Sequence, residues 1–347
     1  MQKLLILLNL LILFTAATAQ TAANSNIQQY TTDNGLPSNG IKGMQWDEET
    51  GFLWMATEAG IVRFNGVDFK SYTKENTPVI SSERMLFIRQ NHAGSIYVSD
   101  QVGNIFRINK GKPVLWRKAA VNNTNNPQLN GYYLLSVSDS FFRKNVGRIS
   151  IPTGILAGYS QITCINDTTY LVLSGNTVYL HSISMEKPVG LHFEEKNIDN
   201  IFKINKDVFV VNRQGNFLLM NTANGSFSPV EINRNADDGP EIRTGKPLIF
   251  WQTGMDKPLL IEDGKVWMLN FDGGTIHAKL IFSGITEDVF IRSLQYSEKN
   301  GLLFIGTESK GLIVIRPNKV LSKKRKDANL TNRNSYYSQV ALDDGNI

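Results

Sequence analysis

Residues 51–64 read GFLWMATEAGIVRF, and residues 301–315 repeat the pattern as GLLFIGTESKGLIVI, with one extra residue before the second glycine. Each copy has a glycine turn, an apolar run, a second turn and another apolar run, which is the pattern of a β-hairpin. A weaker third copy begins at Gly94, which is 43 residues after Gly51. The two strong copies are 250 residues apart, or six steps of about 42 residues, the length of a four-stranded propeller blade. The spacing predicts an all-β, seven-bladed β-propeller of four-stranded antiparallel blades.

Short β-rich runs recur where the intervening blades should lie. They are residues 132–137, 170–173 with 177–181, 208–212 with 217–220, and 259–262 with 266–269. They contain Val, Ile, Tyr, Phe and Leu and are bounded by turn residues, whereas no long window after residue 19 has a clear 3.6-residue apolar period. Residues 27–32 alternate like a strand and are expected to complete the last sheet. Helix is therefore expected to be minor.

Equivalent residues of the two strong copies are expected to have the same structural roles. Trp54 and Phe304 should pack between adjacent blades, because radial stacking covers the faces of each sheet. Two further positions in each copy belong to the turns: the hydroxyl group of the threonine should form hydrogen bonds with the backbone, and the glycine should allow the chain to reverse where a Cβ would clash. These residues are Thr57, Thr307, Gly60 and Gly311.

The composition is that of an ordinary folded domain. The chain has 347 residues, of which 41% are hydrophobic and 19% charged, so disorder is not expected. Its one cysteine, Cys164, excludes an intramolecular disulfide. The net charge of +5 is a mild excess, and the basic cluster at residues 319–326 is typical of a solvated linker, so no nucleic-acid partner is expected.

Residues 1–19 have the pattern of a secretory signal peptide. Lys3 precedes an apolar run over residues 4–14, and Ala17-Thr18-Ala19 forms a small-x-small cleavage signal. An uncleaved anchor is the alternative, but the apolar run is shorter than the roughly 20 residues that span a bilayer. We therefore expect export, with residues 20–317 forming the propeller.

The residues around the first hairpin resemble a known family. Residues 33–39 (Asp-Asn-Gly-Leu-Pro-Ser-Asn), 44–47 (Met-Gln-Trp-Asp), 51–57 and 60–66 resemble the opening of the two-component regulator propellers, the periplasmic sensor regions of bacterial hybrid and histidine kinases. The match is specific over residues 30–75 and 291–317. It departs from the family pattern at Met55-Ala56 and Phe304, where Ile-Gly and Trp are more usual.

The resemblance implies a longer protein and a sensing role. Family members carry two seven-bladed propellers, a small β-sandwich, a membrane span and a kinase or DNA-binding output. Residues 318–347 are therefore expected to be a linker and the first strands of a second propeller that this chain does not complete. By the same resemblance, the chain is a non-catalytic periplasmic sensor whose ligand is a small molecule or an oligosaccharide. Its partners would be its own downstream propeller and kinase domains, and the full-length form would be a homodimer.

Chemical motifs give no catalytic, cofactor or metal site, and no ligand-binding residue is identified. Neither a G-x-S-x-G nor a Walker A nor a G-x-G-x-x-G motif is present, and His92, His181, His192 and His277 have no partner at metal-ligand spacing.

Two alternatives stay open: a secreted glycan-active or glycan-binding propeller of sialidase- or lyase-like type, and an adhesion scaffold. A glycosidase needs two carboxylates, for which the candidates are Asp47, Glu48, Glu49, Asp237, Asp238 and Asp256. The tryptophans that could stack on sugar rings are Trp116, Trp251 and Trp267, although a blade tryptophan more often packs in the core.

Overall fold

The computed structural model describes residues 25–90, 94–118, 159–164, 169–174, 177–182, 189–192, 198–212, 214–222, 224–234, 247–251 and 255–317. The predicted signal peptide, the predicted run at 132–137 and the predicted start of a second propeller lie outside the described residues. Within them the regular structure is β-strand apart from one short 3-10 helix, Thr32–Asn34. The expectation of an all-β chain is thus confirmed for the described residues.

The strands form six sheets, which we name by their order along the chain. The first sheet contains β2 (Ile41–Asp47), β3 (Phe52–Thr57), β4 (Gly60–Phe64) and β5 (Phe69–Tyr72). The second contains β6 (Met85–Gln90), β7 (Ile96–Asp100), β8 (Ile105–Asn109) and β9 (Lys112–Arg117). The third contains β10 (Tyr159–Cys164), β11 (Thr169–Ser174), β12 (Thr177–Ser182) and β13 (Val189–His192). The fourth contains β14 (Ile198–Ile204), β15 (Asp207–Asn212), β16 (Phe217–Met220) and β17 (Phe227–Val230).

The last two sheets depart from this simple order. The fifth sheet contains β18 (Ile232–Arg234), β19 (Leu248–Phe250), β20 (Leu259–Glu262), β21 (Lys265–Asp272) and β22 (Thr275–Ser283). The closing sheet contains β23 (Ile291–Ser297), β24 (Leu302–Thr307), β25 (Leu312–Pro317) and, from the other end of the chain, β1 (Ser25–Tyr30).

The predicted ring closure is confirmed by the pairing of β1. This strand runs antiparallel to β25, with Ile27 opposite Ile315 and Tyr30 opposite Leu312. It occupies the outer edge of the closing sheet, in the order β1-β25-β24-β23. The two ends of the described chain are therefore joined in one sheet, which leaves no separate terminal blade with open edges.

The fifth sheet has an extra strand that four-stranded blades lack. β18 follows directly after β17 of the fourth sheet and pairs in parallel with β22, Ile232 opposite Ile276. The buried ion pair between Arg234 and Glu262, 2.8 Å between Nη2 and Oε2, joins β18 to β20. The chain thus connects two neighbouring sheets at their outer edges. The fifth sheet therefore differs from the predicted four-stranded antiparallel blade by one parallel strand.

Buried apolar clusters fill the spaces between neighbouring sheets. Trp54 lies between the first and second sheets and Phe304 between the closing and first sheets, and both are fully buried, as predicted. Three further clusters join the third to the fourth sheet, the fourth to the fifth, and the fifth to the closing sheet. No cluster of described residues joins the second and third sheets, between which residues 119–158 lie in the sequence. Six sheets are described, and the seventh predicted blade is not among them.

Candidate functional site

A cavity of about 410 Å³ lies at the ends of β2, β6 and β23. We call these the inner strands, because each forms one edge of its sheet and β2 contacts both of the others. The wall of the cavity is formed by the carboxyl-terminal ends of β2, β6 and β23, together with residues 255–257 and strands β20 and β21 of the fifth sheet. We call it the inner-strand cavity. Its polar and aromatic lining residues are Gln45, Trp46, Glu48, Gln90, Asp256, Lys257, Gln295, Tyr296 and Glu298. Its volume is in the range of about 300–1,000 Å³ that is usual for small-molecule sites.

Two glutamine amides connect the first and second sheets at this cavity. Gln45 Nε2 donates to Gln90 Oε1 at 3.0 Å and to the Trp46 carbonyl at 3.1 Å. Gln90 Nε2 in turn donates to the carbonyl of Gly94 at 3.0 Å. These bonds fix the orientation of the Gln45 amide and leave its Oε1, which is buried, without a partner in the described part of the chain.

A third amide connects the closing sheet to the first. Gln295 Oε1 accepts a hydrogen bond from the Trp46 backbone nitrogen at 3.4 Å, while its buried Nε2 finds no partner among the residues described. The Trp46 indole nitrogen is likewise buried without a described partner, and its ring stacks on Phe304 with 5.0 Å between ring centroids. The lining residues therefore hold one acceptor and two donors whose hydrogen-bonding capacity is unused, and native structures contain few such groups unless water or a ligand satisfies them.

Charged groups and one phenol also line the cavity. Lys257 Nζ contacts both carboxylate oxygens of Glu298, at 3.0 and 2.7 Å, and Glu48 and Asp256 are exposed. Burial raises the pKa of the Tyr296 hydroxyl, and the negative charge of Glu298 raises it further. Tyr296 is therefore a neutral hydrogen-bond donor at physiological pH.

The sequence analysis did not identify the amides, although the repeat contained a usable signal. Gln45 pairs with Trp54 across β2 and β3, and Gln295 pairs with Phe304 across β23 and β24. These two glutamines thus occupy equivalent positions in the first and closing sheets. Alignment of the strand before each hairpin, Met44-Gln45-Trp46 with Leu294-Gln295-Tyr296, would have shown a repeated glutamine followed by an aromatic residue.

The three tryptophans considered for sugar stacking lie outside the cavity lining. Trp267 is 3% exposed in the core between the fourth and fifth sheets. Trp116 packs edge to face on Tyr97 with 5.0 Å between centroids. Trp251 donates from Nε1 to the Met255 carbonyl at 2.9 Å and so positions the segment 255–257 that borders the cavity. All three have packing or positioning roles, and Trp46 is the tryptophan that lines the site.

The described candidate carboxylates separate into two groups, one at the cavity and one in a hairpin turn. Glu48 and Asp256, from different sheets, both line the cavity. Asp47 instead closes its own hairpin turn, since Oδ1 accepts from the Glu49 nitrogen at 3.1 Å and Oδ2 from the Thr50 hydroxyl at 2.6 Å. Glu49 is exposed in the same turn, and Asp237 and Asp238 lie outside the described residues.

The histidines are dispersed. His181, His192 and His277 lie on β12, β13 and β22, and His92 lies outside the described residues. In the described ranges, no three His, Cys, Asp or Glu side chains are grouped so that they could hold a metal ion. Across the same ranges, no helix has the length and hydropathy needed to cross a bilayer.

Comparison with known proteins gives a structural similarity without a family assignment. No family model matches the chain, and no curated protein matches it. Among solved structures, the extracellular domain of a protein described as a hybrid two-component system of B. thetaiotaomicron matches 83% of this chain and 41% of its own, at 14% identity and a TM-score of 0.53. PorZ, a surface component of the type-IX secretion system of Porphyromonas gingivalis, matches 83% of this chain and 37% of its own, at 8% identity and a TM-score of 0.52. U3-55K matches 86% of this chain and 99% of its own, at 14% identity and a TM-score of 0.50.

These similarities support a propeller-like fold. The chain spans less than half the length of the two-component extracellular domain and of PorZ, and nearly the full length of U3-55K. At such low identity the same architecture hosts unrelated functions, so the similarity concerns the fold alone. One of these structural neighbours is the extracellular domain of a two-component system, the class that the residues of the first hairpin also resemble.

Proposed function

We propose that this chain is the non-catalytic ligand-sensing propeller of an exported two-component signalling protein. The observation that carries the proposal is the inner-strand cavity, whose polar and aromatic lining comes from four sheets and includes Gln45, Gln295 and Trp46. A cavity of this size with a few convergent polar groups is the usual form of a small-molecule site.

The position of the cavity suggests how binding becomes a signal. Its wall combines residues of the closing, first, second and fifth sheets, so one ligand contacts four structural units at once. A ligand that prefers one arrangement of these sheets shifts the population toward it. The shift is then passed to output domains outside this chain, which makes ligand and output energetically coupled.

The remaining parts of the proposal, from the export signal to the signalling partners, follow the resemblance to the two-component regulator propellers. Residues 1–19 direct export to the periplasm, and residues 318–347 begin a second propeller. The predicted seventh blade, with its β-rich run at residues 132–137, falls in the 41 residues, 118–158, that separate β9 from β10 in the sequence, which is close to one repeat of about 42 residues. The ligand is a small molecule or an oligosaccharide, the signalling form is a homodimer, and the partners are a downstream propeller and a kinase or transcriptional output.

A thermal-stabilisation screen of the full chain with glycan fragments tests the binding claim. A fragment that binds in the cavity should raise the melting temperature of the wild type and leave that of Gln45→Met and Gln295→Met unchanged. Gln101→Met, an exposed glutamine outside the cavity lining, is the matched control and should respond like the wild type. The absence of a shift with every fragment would overturn the proposal.

The glycan-active alternative is favoured by one observation, the presence of Glu48 and Asp256 in the same cavity. Glycosidases use two carboxylates about 5–10 Å apart on either side of the scissile bond. Product analysis after incubation with each stabilising fragment separates the two functions. Hydrolysis that disappears in Glu48→Gln or Asp256→Asn would replace the sensor by an enzyme; recovery of intact fragment supports sensing.

A further inference from the structure

We infer that the junction between the first and second sheets binds a phosphate group, carried either by a small soluble ester or by a lipid headgroup. Four basic residues define the site, which we call the cationic junction: Arg63 on β4, Lys70 on β5, and Lys110 and Lys112 at the turn between β8 and β9. None of them lines the inner-strand cavity, so the site goes beyond the proposed sensing function and is independent of it.

Contacts at Gly111 hold the two sheets together at the cationic junction. The Tyr72 hydroxyl of β5 donates to the Gly111 carbonyl at 2.8 Å. Nη1 of Arg63 lies 3.4 Å from the point that a Cβ of residue 111 would occupy. The Arg63 guanidinium also packs over the Phe52 ring, with 4.3 Å between Cζ and the ring centroid. A partly buried guanidinium is thus fixed beside the turn that carries the two lysines.

The positive charges of the cationic junction have no carboxylates to balance them. Arg63 and Lys70 are directly opposite each other across β4 and β5, and like charges in this position destabilise a sheet. Neither they nor the two lysines of the turn form an ion pair with another described residue. Residues 101–118 contain five basic residues and no acidic one. An anion between the two sheets would therefore remove an electrostatic cost that the folded chain carries.

The backbone at Lys110 gives a second, independent argument for a binding role. Lys110 and Gly111 have φ of +48° and +72°, which is the two-residue hairpin turn that favours Asn, Asp or Gly at its first position. Asp263 and Gly264 form the same turn in the fifth sheet, with φ of +49° and +71°. A lysine in the left-handed region costs stability, and such costs are concentrated at functional sites. The turn thus has a positive charge where the backbone favours aspartate or asparagine.

The side chains of the cationic junction fit a phosphate group better than a carboxylate. A phosphate ester carries roughly two negative charges at pH 7 and has three acceptor oxygens, whereas a carboxylate has one charge and two oxygens. The planar guanidinium of Arg63 can donate two parallel hydrogen bonds to phosphate oxygens. The exposed lysines add flexible point charges that neutralise the rest of the ligand charge.

Isothermal titration of the full chain with glycerol 3-phosphate, at constant ionic strength in a phosphate-free buffer, tests the site. Glycerol is the uncharged control and should not bind. Arg63→Gln with Lys70→Gln should weaken the binding of glycerol 3-phosphate about tenfold or more. Lys74→Gln with Lys279→Gln removes two exposed lysines elsewhere and should change the affinity by less than about twofold.

The variant Lys110→Asn separates a binding role from a structural one. Asparagine is favoured at this φ, so the melting temperature should rise. The loss of the charge should at the same time weaken the binding of glycerol 3-phosphate about threefold or more. A higher melting temperature with unchanged binding would contradict the assignment of Lys110 to the site.

Vesicles identify the source of the phosphate group. Flotation on phosphatidylcholine vesicles that contain phosphatidylglycerol, absent on pure phosphatidylcholine and lost in Arg63→Gln with Lys70→Gln, supports a lipid headgroup. Binding of glycerol 3-phosphate without flotation supports a soluble ester.

The remaining results overturn the site without affecting the proposed sensing function. They are the absence of binding by glycerol 3-phosphate at up to about 10 mM together with the absence of flotation, and equal binding by the wild type and Arg63→Gln with Lys70→Gln. If Gln45→Met and Gln295→Met weaken the binding of glycerol 3-phosphate instead, the anion lies in the inner-strand cavity. That result overturns the cationic junction and supports the cavity as the ligand site.

Discussion

At the scale of single residues, Thr57 and Thr307 show how the repeat is built. Thr57 Oγ1 donates to the Gly60 carbonyl at 2.8 Å and accepts from the Ala59 nitrogen at 3.1 Å. Thr307 makes the same pair of bonds, to the Gly311 carbonyl and from the Lys310 nitrogen, both at 2.8 Å. Both side chains are buried, and each hydroxyl links the two sides of its turn through a buried bond to a carbonyl and a partly buried bond from a nitrogen.

Replacing Thr57 by valine removes the hydroxyl at nearly constant volume. We expect Thr57→Val to lower the free energy of unfolding by about 2–4 kcal/mol, because two backbone groups lose their partner in a buried turn. Thr57→Ser keeps the hydroxyl and loses one methyl group, and should cost about 1 kcal/mol. Urea unfolding of the three proteins measures the difference. Equal stability of the valine and serine variants would show that the packing of the methyl group, and not the hydrogen bonds, is what matters.

Tyr296 gives a pH dependence whose sign follows from its surroundings. Burial and the nearby Glu298 raise its pKa above the usual 10.0, so the folded chain prefers the neutral phenol. This preference stabilises the fold below about pH 10 and is lost as the pH rises through the raised value, because the unfolded chain releases its proton first. Tyr296→Phe should therefore lose less stability than the wild type between about pH 9 and 11 in urea unfolding. An identical alkaline loss in both proteins would contradict the assignment.

At the scale of elements, the outer strands β1 and β5 share a cap. Tyr30 pairs with the residue after Gly311 and Tyr72 with the residue after Gly60, so the two tyrosines are equivalent. Asn34 accepts from the Thr31 nitrogen and donates to the Gln29 carbonyl. The same bonds recur at the end of β5, where the Asn76 side chain accepts from the Thr73 nitrogen and donates to the Ser71 carbonyl. The closing strand is thus the outer strand of a normal blade, supplied from the other end of the chain.

Five edge strands, one from each of five sheets, share a second feature, a one-residue shift of the pairing register near the start of the strand. The register shifts between Ile41 and Gly43 in β2 and between Ile291 and Ser293 in β23, and β6, β10 and β14 shift in the same way. The extra residues Lys42 and Arg292 pair with Glu58 and Glu308 at 2.6 and 2.7 Å. A bulge re-aims a side chain, and here it brings basic groups to the carboxylates of the following hairpin.

The close approach of β25 to β1 can be tested at Gly311. A Cβ added there would lie 2.0 Å from the Tyr30 carbonyl oxygen, and the φ of +78° is already unfavourable for a side chain. Gly51 is the control, since its φ is +68° but a Cβ would meet nothing within 4 Å. We expect Gly51→Ala to cost about 1–2 kcal/mol and Gly311→Ala at least about 2 kcal/mol more, with loss of amide protection in residues 25–30. Equal costs would mean that β1 adjusts without strain.

At the scale of the whole molecule, local patterns were predictable and contacts between distant sheets were not. The spacing of two hairpins predicted the sheets, and the alternation of residues 27–32 predicted ring closure, because both depend on short-range periodicity. The repeat marks Gln45 and Gln295 as equivalent residues, but no local pattern indicates that they and Gln90 line one cavity between three sheets. The pairing of β18 with β22 was missed for a similar reason, since nothing in a three-residue strand indicates a parallel partner over 40 residues further along the chain.

The number of blades is the property of the whole ring that remains a prediction, and hydrogen exchange can decide it. Buried clusters join every neighbouring pair of sheets in the described chain except the second and third, between which residues 119–158 lie. Sheets that stack radially need a neighbour on both faces, so an empty position would expose the apolar face of each adjoining sheet. We expect amides within residues 119–158, including 132–137, to be protected from exchange to the same extent as those of β2–β5. Complete exchange throughout this segment within seconds would show that six sheets close the ring, and a deletion of residues 119–158 would then fold and keep its ligand.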